Sequence, residues 1–216
     1  MFTVQTLTTR LARRAVFASL ALTAVGLALG AGRAAGQEIV KVEEDWQLVV
    51  SQPDPQTFAP QVTTTISPGR DLGSSYAVFD VNLRNLPSYE AGGVQFQLWS
   101  GNTALGSKKS NTGTLLQAGD ETITWTQRLS VSEGNLTFEI ANGNSQTWGN
   151  FGPLSLTTET DLTNLSDYSP AVSVANSAVG YAANRVTSLK LTAVRAYSAA
   201  GLVGQSNTAL VVYPHN

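Results

Sequence analysis

From Asp45 onward the chain alternates apolar and polar residues with a period of two, interrupted by clusters of Gly, Asn, Ser, Asp and Pro. That period belongs to strands with one buried face, and the interruptions belong to turns. DWQLVVS is the first such run, with Trp46, Leu48 and Val50 on one parity, and it stops at SQPDP. QVTTTIS is polar over much of its length and lies between Pro60 and Pro68, which predicts an edge strand or a hairpin arm. In SYAVFDVNLRN the apolar parity is Ala77, Phe79, Val81 and Leu83; the other carries Tyr76, Val78, Asp80, Asn82 and Arg84. GVQFQLW repeats the scheme, with Val94, Phe96 and Leu98 set against Gln95, Gln97 and Trp99.

The stretch SGNTALGSKKSNTGTLLQAGD reads as a turn-rich connection. ETITWTQRLSVS then places Ile123, Trp125, Leu129 and Val131 on one parity, and EGN predicts a hairpin into LTFEIAN, where Leu136, Phe138 and Ile140 are apolar. The loop NGNSQTWGNFG carries Trp148 between glycines, which predicts a plug at the end of a sandwich. LSLTT, LTNLSDYSP, AVSVANS, VTSLKLTAVRAYS and TALVVY complete the chain; in VTSLKLTAVRAYS the apolar parity shifts, predicting a bulge near Thr192 and Ala193. No amphipathic helix and no fixed repeat is evident. About ten short strands predict an all-β fold of two packed antiparallel sheets, and the chain length favours a jelly-roll sandwich over an immunoglobulin type.

The alternation is absent from the N-terminus. Arg10, Arg13 and Arg14 precede the apolar run AVFASLALTAVGLALG, and AGRAAGQ follows. This is the layout of a secretory signal helix, and the run is shorter than the roughly 20 residues that span a bilayer. Cleavage after Gly36 leaves residues 37–216 as a single β-sandwich domain and predicts a secreted protein, periplasmic or extracellular. The leader removes Arg10, Arg13, Arg14 and Arg33, so the remainder carries 9 basic and 15 acidic residues, a net charge of −6. That balance argues against nucleic acid as a partner and against an anionic membrane. The chain has no cysteine, so no disulfide contributes and the core must supply the stability.

EEDWQLVV, APQVTTTISP, WTQRLSVSEGNLTFEIANGNSQTWGNFG and YSPAVSVANSAVGYAANRVTSLKLTAVRAYS together resemble an uncharacterised family of secreted bacterial proteins. The strand pattern and the run NRVTSLKLTAVRAY are also similar to concanavalin A-like sandwiches, which include lectins, laminin-G-like modules, glucanases and alginate-lyase-like enzymes. That resemblance implies a jelly roll with a concave sheet on which many members hold glycans.

If the four middle strands adjoin, their polar parities form one surface: Tyr76, Asp80, Asn82 and Arg84; Gln95, Gln97 and Trp99; Thr124, Thr126 and Arg128; and Glu139. An exposed Trp among amides, guanidinium groups and carboxylates suits a polysaccharide or glycan, because rings stack on sugar C–H faces and planar groups engage hydroxyl pairs. Non-catalytic glycan binding is therefore the expected function. A structural or adhesive protein working through protein contacts is one alternative, and a carbohydrate-active hydrolase or lyase is the other. His215 is the only histidine and sits next to the C-terminus, which speaks against a Ser-His-Asp triad or a histidine metal site. Asp80 with Glu139 is the best candidate carboxylate pair for hydrolysis, although ion pairs to Arg84 or Arg128 fit these acids better. The resemblance to lyases would require a histidine two residues after Gln95, where Gln97 stands. No cofactor is expected. Ca²⁺ is the one candidate ion, from Glu43, Glu44 and Asp45 or from Glu159, Asp161, Asn164 and Asp167, and solvated charge is the better reading of both groups.

Overall fold

The computed structural model describes residues 38–51, 61–83, 92–116, 120–181 and 183–214. The predicted leader, Arg84 and His215 lie outside these residues. Among the described residues the chain is all-β, with its strands in two antiparallel sheets.

The larger sheet contains β1 (Lys41–Val50), β6 (Glu121–Ser132), β7 (Asn135–Ser145), β8 (Gly149–Phe151), β9 (Leu154–Glu159), β11 (Val186–Ser198), β12 (Gly201–Ser206) and β13 (Leu210–Tyr213). Its order is β12-β11-β1-β6-β7-β8, with β13 also paired to β11 and β9 to β7. The smaller sheet contains β2 (Gln61–Ile66), β3 (Ser75–Val81), β4 (Val94–Ser100), β5 (Thr103–Ser110) and β10 (Ala178–Tyr181), in the order β10-β2-β3-β4-β5.

The apolar parities meet between the sheets, as the alternation requires. Trp46 and Trp125 are opposite one another across β1 and β6 and stack with centroids 6.3 Å apart. Phe79 of the smaller sheet reaches Trp125 of the larger at 5.5 Å and Phe96 at 6.4 Å, so it joins the two layers. Each such ring, fully buried, stabilises the fold by roughly 1.5–3 kcal/mol. Trp148 plugs one end: it is nearly buried, donates from Nε1 to the Thr114 carbonyl at 2.8 Å, and meets Phe151 edge to face.

Local signals at the turns hold. Glu133 and Gly134 both have positive φ and close the β6–β7 hairpin between Ser132 and Asn135, the two-residue turn that EGN predicts. The bulge falls at Thr192: Asp45 faces Ala193 and Trp46 faces Leu191, which leaves Thr192 as the extra residue.

Four expectations are corrected. Of the two alternatives for QVTTTIS, the hairpin arm is the one found, since it pairs antiparallel with β3; it is not an edge strand, because β10 pairs along its outer side. The supposed turn-rich connection contains β5, an exposed edge strand with no buried face to impose alternation; Lys108 and Lys109 break up its pairing surface. The segment taken as the strand AVSVANS begins instead as a helix, α1 (Pro170–Ala175), with Pro170 in its first turn and an extended Ser169 before it. Finally, the acidic run before the first strand is not uniformly solvated: Glu43 and Asp45 face outward, but Glu44 shares the parity of Trp46 and Leu48 and is fully buried.

Candidate functional site

The polar parity of β2, β3 and β4 faces away from the core and forms the floor of a groove of about 580 Å³. Register builds it row by row. Thr63 is opposite Asp80, Val78 opposite Gln97, and Tyr76 opposite Trp99. Gln61 and Thr65 extend the β2 side, while Leu72, Asn102 and Asn176 supply the walls.

Asp80 is the chemical centre of this face. It is 9% exposed, and its Oδ1 accepts a 2.6 Å hydrogen bond from the Thr63 hydroxyl. Burial raises its pKa above the ordinary aspartate value, and the Thr63 bond offsets part of that rise. Gln95, opposite Asp80 on β4, is also nearly buried. Tyr76 donates its hydroxyl to the Gly101 carbonyl at 3.0 Å, which fixes the ring, and Trp99 is half-buried beside it. The groove thus combines amides, hydroxyls, a nearly buried carboxyl and two aromatic rings.

The outer face of the larger sheet is differently organised. Arg195 binds Asp45 through both terminal nitrogens at 2.6 and 2.7 Å and Glu43 through Nε at 3.1 Å. Arg128 bridges Glu43 at 3.1 Å and Glu139 at 2.7 Å. Glu43 also accepts from the Tyr197 hydroxyl at 2.8 Å and from Lys41 at 3.3 Å. Partial burial alone would raise the Glu43 pKa, but the donors Tyr197, Arg195 and Lys41 outweigh it and hold the carboxyl at about 2. Burial works against the Arg195 charge, yet its bonds to Asp45 and Glu43 raise its pKa further.

The residues expected to share one surface are therefore divided. Tyr76, Asp80, Gln97 and Trp99 line the groove, with Gln95 buried in the same face. Thr124, Thr126, Arg128 and Glu139 lie on the opposite side of the sandwich, where Thr126 donates to Asp45 at 2.9 Å and Arg128 pairs with Glu139. Asn82 belongs to neither face: it has a φ of 59°, is buried, and its Oδ1 accepts from the Leu116 amide at 2.8 Å. Asp80 and Glu139, the candidate carboxylate pair, occupy different sheets and cannot flank one bond.

The chain matches no family model and no curated protein. Among solved structures it is similar to two peptidases. The first is scytalido-glutamic peptidase with a transition-state analogue inhibitor, at 8% identity and a TM-score of 0.38, covering 80% of this chain and 82% of that one. The second is SCP-B, a member of the eqolisin family of peptidases in complex with the tripeptide Ala-Ile-His, at 9% identity and a TM-score of 0.35, covering 82% and 81%.

The expectation of a non-catalytic glycan-binding sheet is corrected: the surface on which it rested is split between two faces that point in opposite directions. Thr63, Thr65 and Gln61 were missed as groove residues. Their shared parity in QVTTTIS was the available signal, obscured by the edge-strand reading.

Among the described residues no group of three His, Cys, Asp or Glu is arranged to hold an ion. Of the calcium candidates, Asn164 Oδ1 accepts from the Ser166 amide at 3.0 Å, and Asp167 lies 3.7 Å from Arg70.

Proposed function

We propose that the groove on the smaller sheet binds an extended polypeptide segment, so that the protein works through protein contacts. The observation carrying this reading is the composition of the groove floor and walls. Gln97 and Asn102 each carry a donor and an acceptor, as does a main-chain peptide unit. Trp99, Tyr76 and Val78 offer an apolar surface for a side chain of the bound segment. The groove crosses three strands, about 10 Å at the usual interstrand spacing, a width suited to one extended chain. Arg128 and Glu139, the charged groups that would have favoured other ligands, are absent from it.

A concanavalin A-like jelly roll and export from the cell belong to the same proposal. Pairing of β1 with β11, near opposite ends of the chain, is consistent with that fold type.

A panel of immobilised peptides of about eight residues tests the reading. Retention of a subset carrying an aromatic or aliphatic residue is expected, with affinity falling about tenfold in Trp99→Ala while the melting temperature changes little. Failure of every peptide to bind, or binding that Trp99→Ala leaves unchanged, overturns it.

A further inference from the structure

Three polar side chains from three strands are buried inside the sandwich, away from the groove. Glu44 on β1 and Gln127 on β6 are Cα partners across the ladder, on the face that also holds Trp46 and Trp125. Both are essentially inaccessible to solvent. Thr64 of β2 accepts a hydrogen bond from Gln127 Nε2, but Gln127 Oε1 has no hydrogen-bond partner. Such a buried acceptor is destabilising unless something donates to it.

The Glu44 carboxyl is surrounded by donors. Oε1 accepts from the Tyr168 hydroxyl at 2.6 Å and from the Ser173 hydroxyl at 2.5 Å, and Oε2 accepts from Trp46 Nε1 at 3.0 Å. Among the described residues no ion pair to it is formed. It is opposite Gln127 from β6 and Val194 from β11, and it contacts Ser173 from α1; Tyr168 is the one titratable side chain that hydrogen-bonds to it among the described residues. Burial dominates and pushes its pKa up to about 7, against the lowering effect of Ser173, Tyr168 and Trp46.

We propose that Glu44 keeps its proton in the folded protein and donates it to the unpartnered Gln127 carbonyl, making the pair a pH-sensitive latch beneath α1. A proton on Oε2 leaves Oε1 free to accept from Tyr168 and Ser173 and gives Gln127 Oε1 the donor it lacks. When the proton passes to solvent base, the carboxylate and the amide oxygen confront each other as two acceptors in a dry interior. Tyr168 and Ser173 cover this carboxylate, so hydrating it means loosening their segment.

That segment connects to the groove wall. Ser177 donates its hydroxyl to the Ser173 carbonyl at 2.7 Å and accepts from the Thr65 amide at 3.1 Å, while Thr65 donates to the Asn176 carbonyl at 3.0 Å. Thr65 and Asn176 both line the groove. Any effect of the latch on ligand affinity rests on the groove reading; the proton itself does not.

Carboxyl-carbon NMR of the full chain labelled at glutamate, without ligand, tests the proposal. One resonance is expected to titrate near pH 7 and to be missing from Glu44→Gln. The sign follows from linkage: a carboxyl whose folded value is raised contributes stability that is complete below the unfolded value and disappears as pH rises through the folded one. The wild-type melting temperature should therefore fall as pH rises from about 4.5 to about 7 and level off above that, and Glu44→Gln, which can still donate to Gln127, should remove that component. Over the same range the protection factor of the Thr65 amide should drop in the wild type and hold steady in the variant. An ordinary glutamate titration, an unchanged pH dependence in Glu44→Gln, or constant Thr65 protection in the wild type overturns the proposal. If Glu44→Gln does not fold, the wild-type titration and the Thr65 protection still decide. Peptide binding enters none of these readouts, so its failure is separately visible.

Discussion

The two outward faces of this sandwich use polar residues in opposite ways. On the larger sheet Glu43, Asp45, Arg128, Glu139, Arg195 and Tyr197 satisfy one another, so the face is a closed network. On the smaller sheet the groove residues include one carboxyl held by a single hydroxyl and amides set around an open floor. Charge count alone would choose the larger sheet, the opposite of the proposed groove. A surface whose charges are spent on each other has little left for a ligand, whereas the groove sets a half-buried Trp beside uncharged polar groups.

Removing the centre of the closed network is the strongest way to break this contrast. Glu43→Ala leaves Arg128 and Arg195 short of an acceptor on a largely covered face, and should cost about 2–3 kcal/mol in urea denaturation. Peptide retention in the groove should be unaffected, because the two faces are separated by the core. A loss of binding in a variant that remains folded would mean that the faces are not independent.

Acid separates the faces by sign. Glu43 is held at about 2, below its ordinary 4.5, so its contribution is complete above the unfolded value and is lost as pH falls toward 2. Asp80 is raised, so its contribution is complete at low pH and is lost as pH rises through its folded value. Asp80→Asn preserves the acceptor for Thr63 and removes the buried charge. It should raise the melting temperature at neutral pH, with the gain shrinking on acidification; a variant less stable than the wild type at neutral pH would show that Asp80 is ionised and paired in the native state.

Strand existence was legible in the sequence wherever a strand has one buried face, as in β3, β4, β6 and β7. It was not legible in β5, whose exposed edge imposes no period; β2 was legible as a strand but not its inner position, because its neighbour β10 lies over a hundred residues further along the chain. Parity revealed which residues face outward, but it could not say which of two sheets they face outward from. That single ambiguity joined Trp99 to Arg128 in an imagined surface. The buried carboxyl was also available in principle, since Glu44 has the parity of Trp46, but a charge in a core contradicts the prior that places Glu in water.

The smallest expected effect tests how far the closed network extends. Lys41 sits at its rim, 3.3 Å from Glu43 and 3.9 Å over the Tyr197 ring, with its side chain 38% exposed. An ion pair and a cation–π contact at an exposed site each contribute a few tenths of a kcal/mol to about one, and water replaces part of both. Lys41→Ala should therefore cost about 0.5 kcal/mol, and less in high salt, because exposed charges are screened. A cost comparable to that of Glu43→Ala would place Lys41 within the network, since Glu43 would then depend on its ammonium as much as on the two guanidinium groups. A negligible cost at every salt concentration would put the boundary of the closed face at Arg195 and Tyr197.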